Sequence, residues 1–420
     1  MILSAYRALG AALQPAGPLL LNRRMRRGKE DPERMAERLG HASLDRPEGP
    51  LVWLHAASVG ESQSILRVID RLTARDAPVS VLVTTGTVTS AGMLEDRLPP
   101  GALHQYSPID LPAATRRFIG HWQPDLAIWT ESELWPNLIG DMAATGRPLA
   151  LINGRMSERS FGRWRRFRGA ASALLGRFAL VLAQNEEAAE RFRQLGAGDV
   201  RCEGNLKYAA DPLPVDQELA QKLKASVSNR PVWLASSVHP GEDTAIGEAH
   251  QTIAGQHPGL LSIVAPRHPA RATAMAATFG QFGLSVTRRS LGEEPGSSDV
   301  YLADTMGELG TLYSLEAPVL VGGSLIPHGG QNMLEPARFG RCVLTGPHTT
   351  NFTDVIRDMK SADALIEIEN AEELAAAVSR LIGHRDEAAT LGERARNVAI
   401  RQNAVLERVM SRLEPLIPAS

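Results

Sequence analysis

The pattern that most limits what this chain can fold into is an alternation. Short apolar runs are separated by longer amphipathic stretches. From residue 50 the apolar runs fall at 51–54, 79–84, 126–130, 148–152 and 180–183, and helical periodicity fills 61–74, 88–97, 112–121, 136–145, 157–176 and 185–195. Strands separated by helices imply βαβ units, whose parallel sheet is covered on both faces. Asp211-Pro-Leu-Pro-Val215 then reads as linker, and the alternation resumes with strands at 232–236, 261–265, 300–303, 319–322 and 342–345. At 420 residues the chain is long enough for two cores. The expectation is therefore an α/β protein of two Rossmann-like domains facing across a cleft. The first spans 31–210, the linker 211–230, and the second 231–420 with a C-terminal helix.

Composition excludes some functions. A formal net charge of −2 gives no footprint for nucleic acid. Cys202 and Cys342 stand far apart with no C-x-x-C pair, which fits a reducing compartment and small buried hydrophobes. The eleven histidines show no H-E-x-x-H spacing, and no acidic cluster accompanies them, so neither a metal nor a cofactor is expected. Residues 1–22 are nearly all apolar or small, and Arg23, Arg24, Arg26, Arg27 and Lys29 follow them. The charge lies on the wrong side for a signal peptide, and Pro15, Gly17 and Pro18 interrupt any helix. Residues 1–30 are expected to be a membrane-associating segment with a basic collar on anionic headgroups, on the cytoplasmic side.

The strand ends carry the chemistry. Leu51–Leu54 runs into Ala56, Ala57, Ser58 and Gly60, then into a helix that begins with a lone carboxylate, Glu61. This is where open α/β sheets bind ligands. Read alone, Ser58-Val-Gly-Glu61 is a capping box. Thr130-Glu-Ser-Glu133, Thr305-Met-Gly-Glu308 and Asn332-Met-Leu-Glu335 have the same form, so several helix N-termini are expected beside strand ends, suited to an anion. Val321-Gly-Gly-Ser324 leads into Pro327-His-Gly-Gly-Gln-Asn332, where glycines would let the backbone close on a nucleotide phosphate. Neither a P-loop nor G-x-G-x-x-G is present. Arg267, in Ala265-Pro-Arg-His-Pro269, suits a phosphate or carboxylate. His55, ending an apolar strand, is expected to be a satisfied core histidine. The run Arg155, Arg159, Arg163, Arg165, Arg166 and Arg168, interleaved with Phe161, Trp164 and Phe167, is either a solvated face or a contact for acidic headgroups and a phosphorylated lipid.

Together His55-Ala-Ala-Ser-Val-Gly-Glu61, Thr130-Glu-Ser-Glu-Leu-Trp-Pro-Asn137, Gly204-Asn-Leu-Lys207, Pro266-Arg-His-Pro269, Thr305-Met-Gly-Glu308, Val321-Gly-Gly-Ser324, Gly329-Gly-Gln-Asn-Met-Leu-Glu335 and Gly346-Pro-His-Thr-Thr-Asn-Phe352 resemble the 3-deoxy-D-manno-octulosonic acid (Kdo) transferase family, in the family's order and over nearly the whole chain. The resemblance implies a type B glycosyltransferase fold and transfer of Kdo from CMP-Kdo to a lipid A precursor (lipid IVA); a single carboxylate base suits an inverting displacement, and the absent ligand clusters make it metal-independent. It also implies a peripheral or N-terminally anchored enzyme on the cytoplasmic face of the bacterial inner membrane. By the same resemblance Glu61 is the general base, and Glu131 and Lys207 stabilise the transition state. Pro266, Arg267, Gly307, Glu308, Leu309, Asn332, Met333, Leu334 and Glu335 contact CMP. Arg159, Arg163, Arg165 and Arg166 are candidates for the acceptor's phosphates. The family often has His-Asn-Pro where this chain has Gln331-Asn332-Met333. Rival functions are another nucleotide-sugar transferase or epimerase of the same fold, and a catalytically silent membrane scaffold.

Overall fold

The computed structural model describes residues 2–209, 212–227 and 230–419. It divides into two compact units: the residues up to Ala209 together with the stretch from Ala404 onward, and the residues between. Asp211, Ser228 and Asn229 of the expected linker lie outside the described residues. Most of the remainder of that linker is a helix, Gln217–Val227, and not an irregular connection.

The first unit is built on seven parallel strands: β1 (Leu51–His55), β2 (Ser80–Thr85), β3 (Ala102–Tyr106), β4 (Leu126–Thr130), β5 (Leu149–Gly154), β6 (Leu180–Ala183) and β7 (Val200–Cys202), in the order β3-β2-β1-β4-β5-β6-β7. β1 and β4 are buried at every position because helices cover both faces. Alternate side chains serve two cores. Trp53 and Trp129 pack edge to face with Phe118 and Trp122 on one side, while Val52, Leu54, Ile65 and Ile69 fill the other. The strand order reverses between β1 and β4, and ligands bind such sheets outside the carboxyl ends at this point.

The second unit repeats the architecture with β8 (Val232–Val238), β9 (Leu261–Pro266), β10 (Val286–Arg288), β11 (Val300–Leu302), β12 (Val319–Val321), β13 (Val343–Thr345) and β14 (Leu365–Glu367), in the order β10-β11-β9-β8-β12-β13-β14, again all parallel. Its reversal lies between β8 and β12.

One boundary differs from the sequence expectation. The C-terminal helix Val405–Leu413 belongs to the first unit, not the second. Val405, Leu406, Val409, Met410 and Leu413 enter the core beside Ile65 and Leu206, and Arg412 pairs with buried Glu203 at 2.9 Å. The N-terminal segment is interrupted where Pro15 falls, as expected, and Gly17 and Pro18 open a second helix. Ile2–Ala12 and Gly17–Met25 are helices joined by a single turn that holds Pro15. One face packs on the first unit through Gly10, Gly17 and Leu21, and Arg7 pairs with Asp141 at 2.7 Å. Leu9, Leu13, Leu19 and Leu20 are exposed on these helices. Among the described residues no helix is long and apolar enough to cross a membrane.

Candidate active site

In the first unit the β1 end turns through Ala57 into the helix Val59–Thr73, which Ser58 caps by accepting from the Glu61 N–H. The capping half of the sequence motif is therefore present. The Glu61 carboxylate does not reach back to the Ser58 N–H as a capping box would. It accepts instead from Ala57 N–H at 2.8 Å, from the Ser58 hydroxyl at 3.1 Å and from the Thr130 hydroxyl at 3.2 Å. Glu61 is only 8% exposed. Burial pushes its pKa up; the Ala57 and Ser58 hydrogen bonds oppose this, and the negative charges of Glu131 and Glu133 add to it. A carboxylate held this way is a stronger base than a free one and suits proton abstraction.

Glu131 follows β4 across the reversal, in a left-handed backbone conformation with φ 56°. A non-glycine residue held there is strained, and such strain gathers at functional sites. Lys207 Nζ stands 3.0 Å from Glu131 Oε1, angled away from linear hydrogen-bond geometry, so the contact is chiefly electrostatic. A Cβ added at Gly60 would lie 3.9 Å from Lys207 Nζ, which puts the ammonium beside the turn that carries Glu61. The structure thus brings together Glu61, Glu131 and Lys207, which are remote in sequence.

Sequence reasoning missed the polar residues that hold Lys207. Asn153 accepts from Leu206 N–H, Gln184 donates to the Asn153 carbonyl, and the Asn205 side chain receives the Lys207 N–H at 3.0 Å. Asn153 has φ 51°, a second strained residue at a strand end. The Asn-Gly pair after a β run was the available signal. His55 is buried, as expected, with Nδ1 3.0 Å from the Thr84 hydroxyl. It is not fully satisfied, since among the described residues its Nε2 has no partner, and burial holds its pKa down at about 3.

Beside these residues lies a cavity of about 510 Å³ within the first unit, lined by Leu13, Leu20, Ile109, Leu111 and Trp135 and reaching Ala57 and Glu133. Its size is that of a small-molecule site, and its walls are mostly apolar. The basic helix is Glu158–Arg166. Arg159, Arg163, Arg165 and Arg166 are exposed on it, and among the described residues none pairs with a carboxylate; Phe161 is its buried anchor.

In the second unit Pro266 ends β9, and Arg267 and His268 are exposed just beyond it. Gly307 has φ 84°, and Glu308 precedes the short helix that Leu309 begins and pairs with Arg289 at 3.1 Å. The Asn332 side chain accepts from Leu334 N–H and donates to Glu335, whose pKa burial pushes up against the pull of Asn332, Arg338 and Arg267. Met333 and Leu334 are fully buried, so their side chains face the core and only their backbone could meet a ligand.

Two expectations fail here. Of the four predicted caps Ser58 caps its helix and Asn332 accepts from Leu334 N–H at the start of the helix Leu334–Arg338, but the helix after Thr130 starts at Pro136 and that after Thr305 at Leu309, beyond the reach of those threonines. Nor is the first part of the glycine-rich turn, 322–325, open to a phosphate. The N–H groups of Gly323, Ser324 and Leu325 are taken by the buried carboxylate of Glu242, and that of Gly322 bonds the Ser236 carbonyl. Among the described residues no group of three or more His, Cys, Asp or Glu is placed to hold a metal ion.

Comparison with known proteins gives a consistent answer. Residues 33–210 match the family described as "3-Deoxy-D-manno-octulosonic-acid transferase (kdotransferase)". The chain is 37% identical over 393 residues to the "Probable 3-deoxy-D-manno-octulosonic acid transferase, mitochondrial" of Arabidopsis thaliana, covering 90% of this chain and 88% of that one. It is 33% identical over 396 residues to the "3-deoxy-D-manno-octulosonic acid transferase" of Haemophilus influenzae, covering 92% of each. A glycosyltransferase structure from Rickettsia africae superposes with a TM-score of 0.56 at 13% identity, covering 89% of this chain and 100% of that chain, a likeness of fold.

Proposed function

Because the chain belongs to the 3-deoxy-D-manno-octulosonic acid transferase family, we propose that it moves Kdo from CMP-Kdo to a phosphorylated lipid A precursor, with inversion at the anomeric carbon. The observation that carries this is Glu61, a buried carboxylate of raised pKa at the sheet's reversal, with a lysine ammonium beside its turn. As the acceptor hydroxyl's oxygen bonds to the anomeric carbon, Glu61 takes its proton. The bond from that carbon to the CMP phosphate oxygen breaks, and CMP leaves with the electron pair. One displacement needs one carboxylate base and inverts the centre, whereas retention would call for a nucleophile as well. Lys207, held against Glu131, offsets the negative charge that develops. Arg267 and Asn332–Glu335 in the second unit bind the nucleotide. No step uses a metal or a cofactor.

Another nucleotide sugar, or an epimerase reaction, is the rival. Thermal unfolding with CMP and then with UDP separates them. A ligand at 100 times its Kd adds about 2.7 kcal/mol of stability. CMP is expected to raise the midpoint and UDP to leave it in place; the opposite pattern would overturn the donor assignment.

The acceptor carries acyl chains and phosphates, so the first unit is proposed to work at the cytoplasmic face of the inner membrane. The exposed leucines of the N-terminal segment, the apolar cavity and the arginines of Glu158–Arg166, which meet no carboxylate among the described residues, support this. Neutralising Arg163, Arg165 and Arg166 together should raise the acceptor KM about tenfold or more, since a hydrogen bond to a charged group is worth about 1.5–3 kcal/mol. CMP binding should not change. An unaltered acceptor KM would reduce this helix to a solvated face.

A further inference from the structure

We propose that Glu242 is a positioning residue of the donor site, holding the glycine-rich turn so that the donor's anionic groups are met by the Arg267, His268 and His328 side chains, not by the amides of Gly323, Ser324 and Leu325. Glu61 and Glu242 occupy matching places. Each follows a glycine, Gly60 or Gly241, at the start of the helix after the first strand of its sheet. Their environments differ. Glu61 keeps some exposure, while Glu242 is wholly buried. Its two oxygens accept four backbone N–H groups: His239 at 2.9 Å, Gly323 at 2.7 Å, and Ser324 and Leu325 at 3.0 Å each. These charge-assisted bonds tie the β8 turn to the β12 turn across the reversal of the sheet. The fit is close: a Cβ on Gly322 would lie 2.9 Å from Glu242 Oε2 and 2.5 Å from the carbonyl oxygen of Ser237, itself at φ 55°.

The tie sets what stands above it. His239 is buried, with its ring 3.9 Å from the exposed His328 ring and 6.3 Å from the His268 ring. Gln331 Nε2 lies 3.0 Å from His239 Nε2. An amide nitrogen only donates, so His239 accepts there and carries its proton on Nδ1. Burial, with the charges of His328, His268 and Arg267, holds the His239 pKa down at about 4, so it packs as a neutral ring.

This rests on the second unit being the CMP-sugar site, which CMP binding by the unaltered chain tests by itself. The variants are Glu242→Gln, which sets an amide NH₂ against backbone donors, and Gln331→Met, which leaves the buried carboxylate alone. Both are made in the full chain and assayed well below their melting temperatures. Glu242→Gln should raise donor KM and the CMP Kd about tenfold or more, with acceptor KM unchanged. Gln331→Met should raise donor KM about threefold or more, at wild-type stability. If Glu242→Gln does not fold, Gln331→Met decides. Wild-type donor KM in the folded variants, whatever their stability, would overturn the inference. Failure of the parent chain to bind CMP would remove the donor-site reading and this inference with it.

Discussion

Glu61→Gln is expected to lower turnover by about 10²–10⁴-fold, the usual contribution of a general base. The amide keeps the length of the side chain, and its carbonyl can still accept from Ala57 N–H, but it cannot take a proton. The loss should fall on kcat, with both KM values little changed, because the missing interaction exists only in the transition state. Stability should move the other way. An acid whose folded pKa is raised stabilises the fold fully below its unfolded pKa, and loses that contribution as pH rises through the folded value. For Glu61 the loss begins near the ordinary 4.5 and extends upward from there. Gln does not ionise, so the variant should gain stability relative to the parent as pH is raised above the ordinary 4.5. A folded Glu61→Gln enzyme that turns over normally would end the base assignment. An inactive variant much less stable than the parent at neutral pH would make Glu61 a structural residue.

Lys207→Met should cost about 10²–10³-fold in kcat, the range seen when one electrostatic donor to a developing anion is removed. The Lys207 side chain is 41% exposed, and exposed ion pairs contribute only about 0–1 kcal/mol, so the melting temperature should hardly change. That split separates catalysis from structure: a drop in melting temperature with preserved turnover would contradict the role given to it. Glu131→Gln leaves the ammonium in place without its counter-charge and should cost less than Lys207→Met.

Both sheets were legible in the sequence at their centres and illegible at their rims. The ten strands expected from apolar runs are those interior to the two sheets. The four that were not expected, β3, β7, β10 and β14, are the four edges. The reason is physical. An interior strand of a parallel sheet is covered on both faces and reads as an unbroken apolar run, whereas these edges are partly exposed and carry His104, Gln105, Arg201, Arg288 and Glu367 within short segments. The C-terminal helix could not be assigned to its unit because amphipathicity shows that a face is buried but not what buries it.

The site divides in the same way. Glu61 was visible because strand, small residues and acid recur at predictable places in α/β sheets, whereas Glu131, read locally, was only part of the box Thr130-Glu-Ser-Glu133 and took its role from the family resemblance. Lys207 too was found only through the resemblance, since nothing local in Asn205-Leu-Lys207 points to a carboxylate 76 positions earlier. Glu242 carried the same strand–glycine–acid signal as Glu61 and was passed over. Its four amide partners come from turns some eighty residues apart, and that convergence exists only in three dimensions.

Mass spectrometry of a phosphorylated lipid A precursor incubated with the purified chain and CMP-Kdo tests the proposed activity most directly. The expected result is a product heavier by one or more whole Kdo residues, with one CMP released for each, and no such product from Glu61→Gln. An unmodified acceptor in the presence of folded, CMP-binding protein, or a mass gain that requires a UDP-sugar in place of CMP-Kdo, would contradict it.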